Sequence, residues 1–94
     1  MRVTEHIREG KENAVTREQL KALTGLSDRK VRKEIELARL RGEIILNDQD
    51  GAGYYRSENV QSLKRQYRQN NNRAMTILVQ QKYIRQKLKE AGEA

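Results

Sequence analysis

The chain has no cysteine, no proline, no phenylalanine and no tryptophan, and only one histidine. Without cysteine there is no disulfide framework, no thiolate metal site and no thiol nucleophile. A single imidazole, His6, excludes a multi-histidine metal centre, and no serine–aspartate pattern accompanies it to build a hydrolytic triad. Gly51-Ala52-Gly53 reads as a turn rather than a phosphate-cradling loop. No apolar run approaches the ~18 residues of a membrane span. The opening Met1-Arg2-Val3-Thr4-Glu5-His6 also lacks the apolar region of a signal peptide. These absences predict a soluble cytoplasmic protein that is not an enzyme and takes no cofactor, metal or small-molecule ligand.

What the chain has is charge. Its 94 residues carry 20 Lys and Arg against 13 Asp and Glu, a net charge of +7, and apolar and charged residues each make up 35%. That is room for one small domain, whose core of Ile, Leu, Val, Ala and four Tyr is feasible but marginal at this size. The charge is uneven. Residues 1–26 hold five basic and four acidic groups, residues 27–56 seven and six, and residues 57–94 eight and three. Between Glu58 and Glu90 there are eight Lys and Arg and no acid. Ordinary exposed helices mix both signs, so this stretch points to a surface for a polyanion, most often nucleic acid.

Thr4 is placed to cap a short helix over residues 4–9, ended by Gly10. Thr16 and Gln19 have capping-box spacing and open a helix over 16–24, with Leu20 and Leu23 on its buried stripe. Gly25 supplies the left-handed backbone of a tight turn, Leu26 links, and Ser27 caps a helix over 27–41 that has Asp28 in its first turn. Val31, Ile35 and Ala38 hold helical spacing, with Leu37 and Leu40 alongside, and Gly42 stops the helix. The β-branched run 43–47, the turn residues 48–53 and Tyr54-Tyr55-Arg56 predict a hairpin over 43–56. Ser57 is placed to cap a last helix from Glu58 to about Glu90. The chain thus divides into a domain at 1–57 and a basic helical extension at 58–94: mainly α, with a small β-hairpin and a long C-terminal helix.

A straight helix over 58–89 would run ~48 Å, longer than the ~27 Å diameter of a 57-residue body. It must project or bend, and Asn70-Asn71-Asn72 is the expected break. Positions 60, 63, 67, 70, 74, 77, 81, 84 and 88 alternate spacings of three and four, flanked by Lys64, Arg73, Arg85 and Lys87 with no acid among them. A parallel pair would oppose like charges. That favours packing on the chain's own body, or an antiparallel or swapped homodimer through Ala74, Ile77, Leu78, Ile84 and Leu88.

In Leu20-Lys21-Ala22-Leu23-Thr24-Gly25-Leu26-Ser27, then Val31, Ile35, Gly42 and Gly51-Ala52-Gly53-Tyr54-Tyr55, the chain resembles winged helix-turn-helix DNA-binding domains. More narrowly, it is similar to small winged-helix proteins of Gram-positive prophages, whose glycine, paired tyrosines and basic helical tail are echoed through Arg73. The resemblance covers residues 3–56 and, loosely, the tail. It implies a double-stranded DNA-binding protein whose second helix enters the major groove. Ser27, Asp28, Arg29, Lys30, Arg32 and Lys33 would then lie at the bases, with Arg56 at the hairpin and Lys64, Arg65, Arg68 and Arg73 on phosphates. Two features depart from the pattern. Lys21 stands where a small residue is usual, and Asp48 and Asp50 give the hairpin an acidic tip, a poor phosphate clamp. That tip suits a second reading, a protein–protein adapter. Binding of RNA or single strands through the tail is a third, disfavoured by the scarcity of aromatics.

Overall fold

The computed structural model describes residues 3–93; Met1 and Arg2 of the expected first domain, and Ala94 of the extension, lie outside them. Two 3₁₀ turns, Val3–His6 and Lys11–Asn13, precede helices α1 (Arg17–Thr24) and α2 (Asp28–Leu40). Strands β1 (Leu46–Asn47) and β2 (Tyr54–Tyr55) follow, and then helix α3 (Val60–Glu90). The protein is mainly helical, with one two-stranded antiparallel hairpin and a long C-terminal helix. Among the described residues, no helix is long and apolar enough to cross a membrane.

Local chemistry fixes the two central helices. The Thr16 hydroxyl accepts from the Gln19 amide at 3.1 Å, and Gln19 Oε1 accepts from the Thr16 amide at 2.8 Å, a complete capping box. α1 ends at Gly25, whose φ of 71° is left-handed and whose N–H reaches the Lys21 carbonyl. Two residues later the Ser27 hydroxyl accepts from the Lys30 amide at 3.3 Å and starts α2. The corner is therefore short, and half-buried Leu26 packs it onto the core. Leu20 from α1 and Val31, Ile35 and Ala38 from α2 are buried together with Val3, Ile7, Val15 and Ile45. Each large side chain buried there contributes ~1.5–3 kcal/mol.

Four local expectations are corrected by contacts made at longer range. Residues 4–9 do not form a helix; the 3₁₀ turn Val3–His6 gives way to extended backbone. There the Arg56 amide donates to the Arg8 carbonyl and the Gly10 amide to the Arg56 carbonyl, both at 2.8 Å. This pairing satisfies the outer edge of β2, and Val15 exchanges hydrogen bonds of 2.9 and 2.7 Å with Tyr54 in the same way. β1 begins at Leu46 rather than 43, because the Ile45 carbonyl is taken by the Arg39 guanidinium through two bonds, 3.0 and 2.7 Å. Leu23, expected on the buried stripe, is 57% exposed because the core lies on the Leu20 side of α1. The α3 cap is Asn59, whose side chain accepts from the Ser62 amide at 3.0 Å; Ser57 instead accepts from the Asn59 amide.

The largest correction is at the asparagines. α3 runs 31 residues without interruption, ~46 Å at helical rise. Three Asn residues together cost the helix only ~2 kcal/mol relative to alanine. Gln66 Nε2 donates to Asn70 Oδ1 across one turn, and Thr76 Oγ1 to the Asn72 carbonyl, both at 3.0 Å. The helix is unbroken at the asparagines and does not fold back: residues 70–93 are exposed throughout. The radius of gyration is 16.9 Å, against about 12 Å for a compact chain of this length.

Candidate nucleic-acid interface

α2 turns Val31, Ile35 and Ala38 into the core and presents Arg29, Lys30, Arg32, Lys33 and Glu36 along a shallow open groove on its other face. These cations are not equivalent. Asp28 holds Arg32 at 3.1 Å and Arg17 at 3.5 Å, and Glu36 lies 4.0 Å from Lys33. Arg29 and Lys30, in the first turn, are exposed and have no ion pair or side-chain hydrogen bond among the described residues. Of the candidate α2 residues, Ser27 and Asp28 are thus committed to holding the helix, and the first-turn cations are the open ones.

The hairpin is anchored differently from the sequence expectation. The Arg56 side chain is 25% exposed; it donates to the Ile7 carbonyl at 2.9 Å, the Thr4 carbonyl at 3.1 Å and Glu43 Oε1 at 3.0 Å. It ties the hairpin base to the first 3₁₀ turn, so its guanidinium is not open to phosphate. The Arg56 guanidinium holds the Glu43 carboxyl below its ordinary pKa, with help from Arg41.

The acidic tip is neutralised from within. The Asp48 side chain is 5% exposed, and its Oδ2 accepts from Tyr55 Oη at 2.8 Å and from Arg65 and Lys11 at 3.2 Å each. Asp50 pairs with the same Lys11. Burial alone would push the Asp48 carboxyl up, but hydrogen bonds from Tyr55, Lys11 and Arg65 outweigh it and hold the group below its ordinary value. Lys11 lowers Asp50 likewise, and is itself raised by Asp50 and then Asp48. Two carboxylates against two cations leave no net charge, so the tip is not a repulsive patch. Arg65, a candidate phosphate contact, is drawn into this node and fastens the root of α3, which Gln66 secures further by accepting from the Asn47 amide at 2.8 Å.

Along α3 the remaining cations are open. Lys64, Arg68, Arg73, Lys82, Arg85 and Lys89 have no ion pair among the described residues, whereas Lys87 lies 3.4 Å from Glu90. At ~100° per residue, Lys64, Arg68, Lys82 and Lys89 fall along one side of the helix. Arg73 lies on another side, within electrostatic reach of Arg39. The Arg39 residue is exposed but its guanidinium is partly sheltered beside Tyr54, 5.8 Å from the ring centre. That burial pulls its pKa down, Tyr54 opposes the shift, and Arg73 adds to it. The apolar candidates Ala74, Ile77, Leu78, Ile84 and Leu88 are all exposed.

Sequence reasoning missed Lys11, Tyr55 and Arg39. Lys11 sits in a polar connector and gives no signal of its own; only the fold brings it to residues 48–50. No protein-family model, curated protein or solved structure matches the chain significantly.

Proposed function

We propose that the protein is a cytoplasmic winged-helix protein, phage-derived in type, that binds double-stranded DNA through α2 and α3. α2 lies in the major groove, which is ~12 Å wide and accepts a helix, and the hairpin is the wing. Arg29 and Lys30 enter with the first turn of α2, where a guanidinium reads a guanine edge bidentately. Lys64 and Arg68, on one side of α3, neutralise phosphates along the adjoining backbone, and Arg73 adds positive field from another side. The observation that carries this reading is the state of the cations. Most of those in the body are paired, while the first turn of α2 and one side of α3 keep theirs open to a polyanion. The adapter reading drew on a bare acidic tip, and Lys11 and Arg65 remove that motive.

The test is an anisotropy titration of duplex DNA, single-stranded DNA and RNA at two salt concentrations. Duplex binds tightest, and log K falls linearly with log salt. Arg29→Ala lowers preference for a selected sequence over random duplex, by ~1–3 kcal/mol for a lost bidentate contact. Arg68→Ala weakens all duplexes alike. Equal losses from both variants on selected and random DNA overturn this division of labour, and tighter binding of RNA or single strands overturns the duplex reading.

A further inference from the structure

The distal half of α3 is a lone helix with an apolar seam. Ile77, Leu78, Ile84 and Leu88 are 46–60% exposed, on a helix whose main contact with the body is with β1 at its root. An isolated helix of ~20 residues is marginal in water even for alanine-rich sequences, and this one leaves large aliphatic side chains in solvent as well. We propose that a second copy of the chain covers the seam, its α3 packed antiparallel along residues 74–90.

The alternating three- and four-residue spacing of 74, 77, 81, 84 and 88 suits a second helix of the same kind, and charge selects the orientation. Residues 74–81 carry no charge, whereas residues 82–89 carry Lys82, Arg85, Lys87 and Lys89. An antiparallel pair lays each cation-rich segment along the other's uncharged one, where the long stems cover apolar surface and the heads stay in water. A parallel pair would instead set four cations of each copy at the same height, with no acid between them. The heptad spacing supports the antiparallel register, placing Ile77 against the partner's Leu88 and Gln81 against the partner's Ile84. The overlap buries roughly 600 Å² per chain, ~1,200 Å² in all, at the lower edge of specific stable interfaces. Contacts at that edge are typical of weak, reversible association. The arrangement leaves the two bodies at opposite ends of the pair, and it stands independently of the DNA-binding reading.

Sedimentation equilibrium of the full chain across about 1–100 micromolar shows the mass doubling within that range. Ile77→Asp combined with Ile84→Asp returns it to the monomer at every concentration, with body amide resonances unchanged. Because the chain has no cysteine, single thiols report orientation. Ile77→Cys chains mixed with Leu88→Cys chains cross-link to each other on mild oxidation, and each alone does so several-fold less. A monomer up to 100 micromolar overturns the proposal, as does an assembly larger than two. So does efficient self-cross-linking of either single variant, the mark of a parallel pair. Should the double aspartate variant unfold, the wild-type mass and the thiol pairs still decide.

Discussion

In the body, seven cations are held by carboxylates: Lys11, Arg17, Lys21, Arg32, Lys33, Arg41 and Arg56. Along α3, Lys64, Arg68, Arg73, Lys82, Arg85 and Lys89 have none among the described residues, and beyond Asn70 the aliphatic side chains are exposed as well. The two regions use similar residue types with opposite outcomes. In the body, chain reversals bring Lys11, Arg17 and Arg56 to distant acids, nearby acids hold Lys21, Arg32, Lys33 and Arg41, and a set of aliphatic residues meets inside. In α3 a single straight helix can pair only residues three or four apart, and the sequence supplies no acid at that spacing until Glu90. The body pairs most of its cations and encloses an aliphatic core; beyond Asn70, α3 encloses nothing and leaves two kinds of surface, cationic and apolar, to be satisfied from outside.

The sharpest way to break this comparison is to delete apolar side chains from each side of it. Leu20→Ala removes a fully buried side chain from the centre of the body and costs ~2–5 kcal/mol, a large share of what a domain this small holds. Leu78→Ala, measured at sub-micromolar concentration, changes stability by less than ~0.5 kcal/mol. Denaturant titration gives both numbers, and equal losses would show that α3 packs against the body after all.

Close backbone approach is the next-largest difference. Gly53 has φ of 108°, and a Cβ there would lie 2.3 Å from the Val15 carbonyl oxygen, where β2 meets the body. Gly25 has φ of 71° and open space around it. Gly25→Ala therefore costs about 1 kcal/mol of backbone strain. Gly53→Ala costs that and a collision with main chain that cannot move without parting Val15 from Tyr54, ~3 kcal/mol or more in all. Thermal unfolding of the two variants ranks them.

The elements legible from the sequence are those decided within a few residues. Thr16 with Gln19, Gly25 and Ser27 mark their helix ends because each cap is closed by a neighbour three or four positions away. The outward face of α2 follows from the spacing of Val31, Ile35 and Ala38, which puts Arg29, Lys30, Arg32 and Lys33 on it. What was not legible depends on long-range pairing. Residues 7–10 leave helical geometry to bond Arg56, and Lys11 crosses to Asp48 and Asp50. Arg56 turns inward, and Arg39 takes the carbonyl of Ile45. The asparagines misled for a different reason: propensity is a small term, and three unfavourable residues do not break a helix with regular turns on either side.

The Asp48 node joins the two regions, and pH tests it. Its carboxyl, like those of Asp50 and Glu43, is held below its ordinary value in the folded protein. As pH falls, the unfolded chain binds these protons first. The stabilisation is therefore complete above the ordinary carboxylate pKa near 4 and is lost as pH drops through the lower folded values. Asp48→Asn keeps an acceptor for Tyr55 but loses the charge that Lys11 and Arg65 share. Because both cations are about half exposed, the cost at neutral pH is only about 1–2 kcal/mol. The variant's stability then declines less between pH 5 and 2 than that of the parent. An unchanged acid profile would place the pH sensitivity elsewhere.

The smallest effect carries the comparison to its end, because it turns a paired body cation into an open one. Asp28 sits in the first turn of α2, where negative charge favours the helix dipole, and it holds Arg32 and Arg17. Asp28→Asn keeps the side chain's size, costs α2 about 0.3–1 kcal/mol through the dipole and little through the exposed pairs. It frees two guanidiniums at the end of the helix proposed to enter the groove, and removes the one acid that would face phosphate there. Duplex affinity therefore rises by about two- to tenfold at low salt. The plot of log K against log salt steepens by roughly one unit, as expected when one more phosphate is neutralised. The gain shrinks as salt is raised. A loss of affinity with unchanged folding would mean that Asp28 itself touches the ligand, as an acceptor for a cytosine amino group for instance, and that pairing does not separate the two regions.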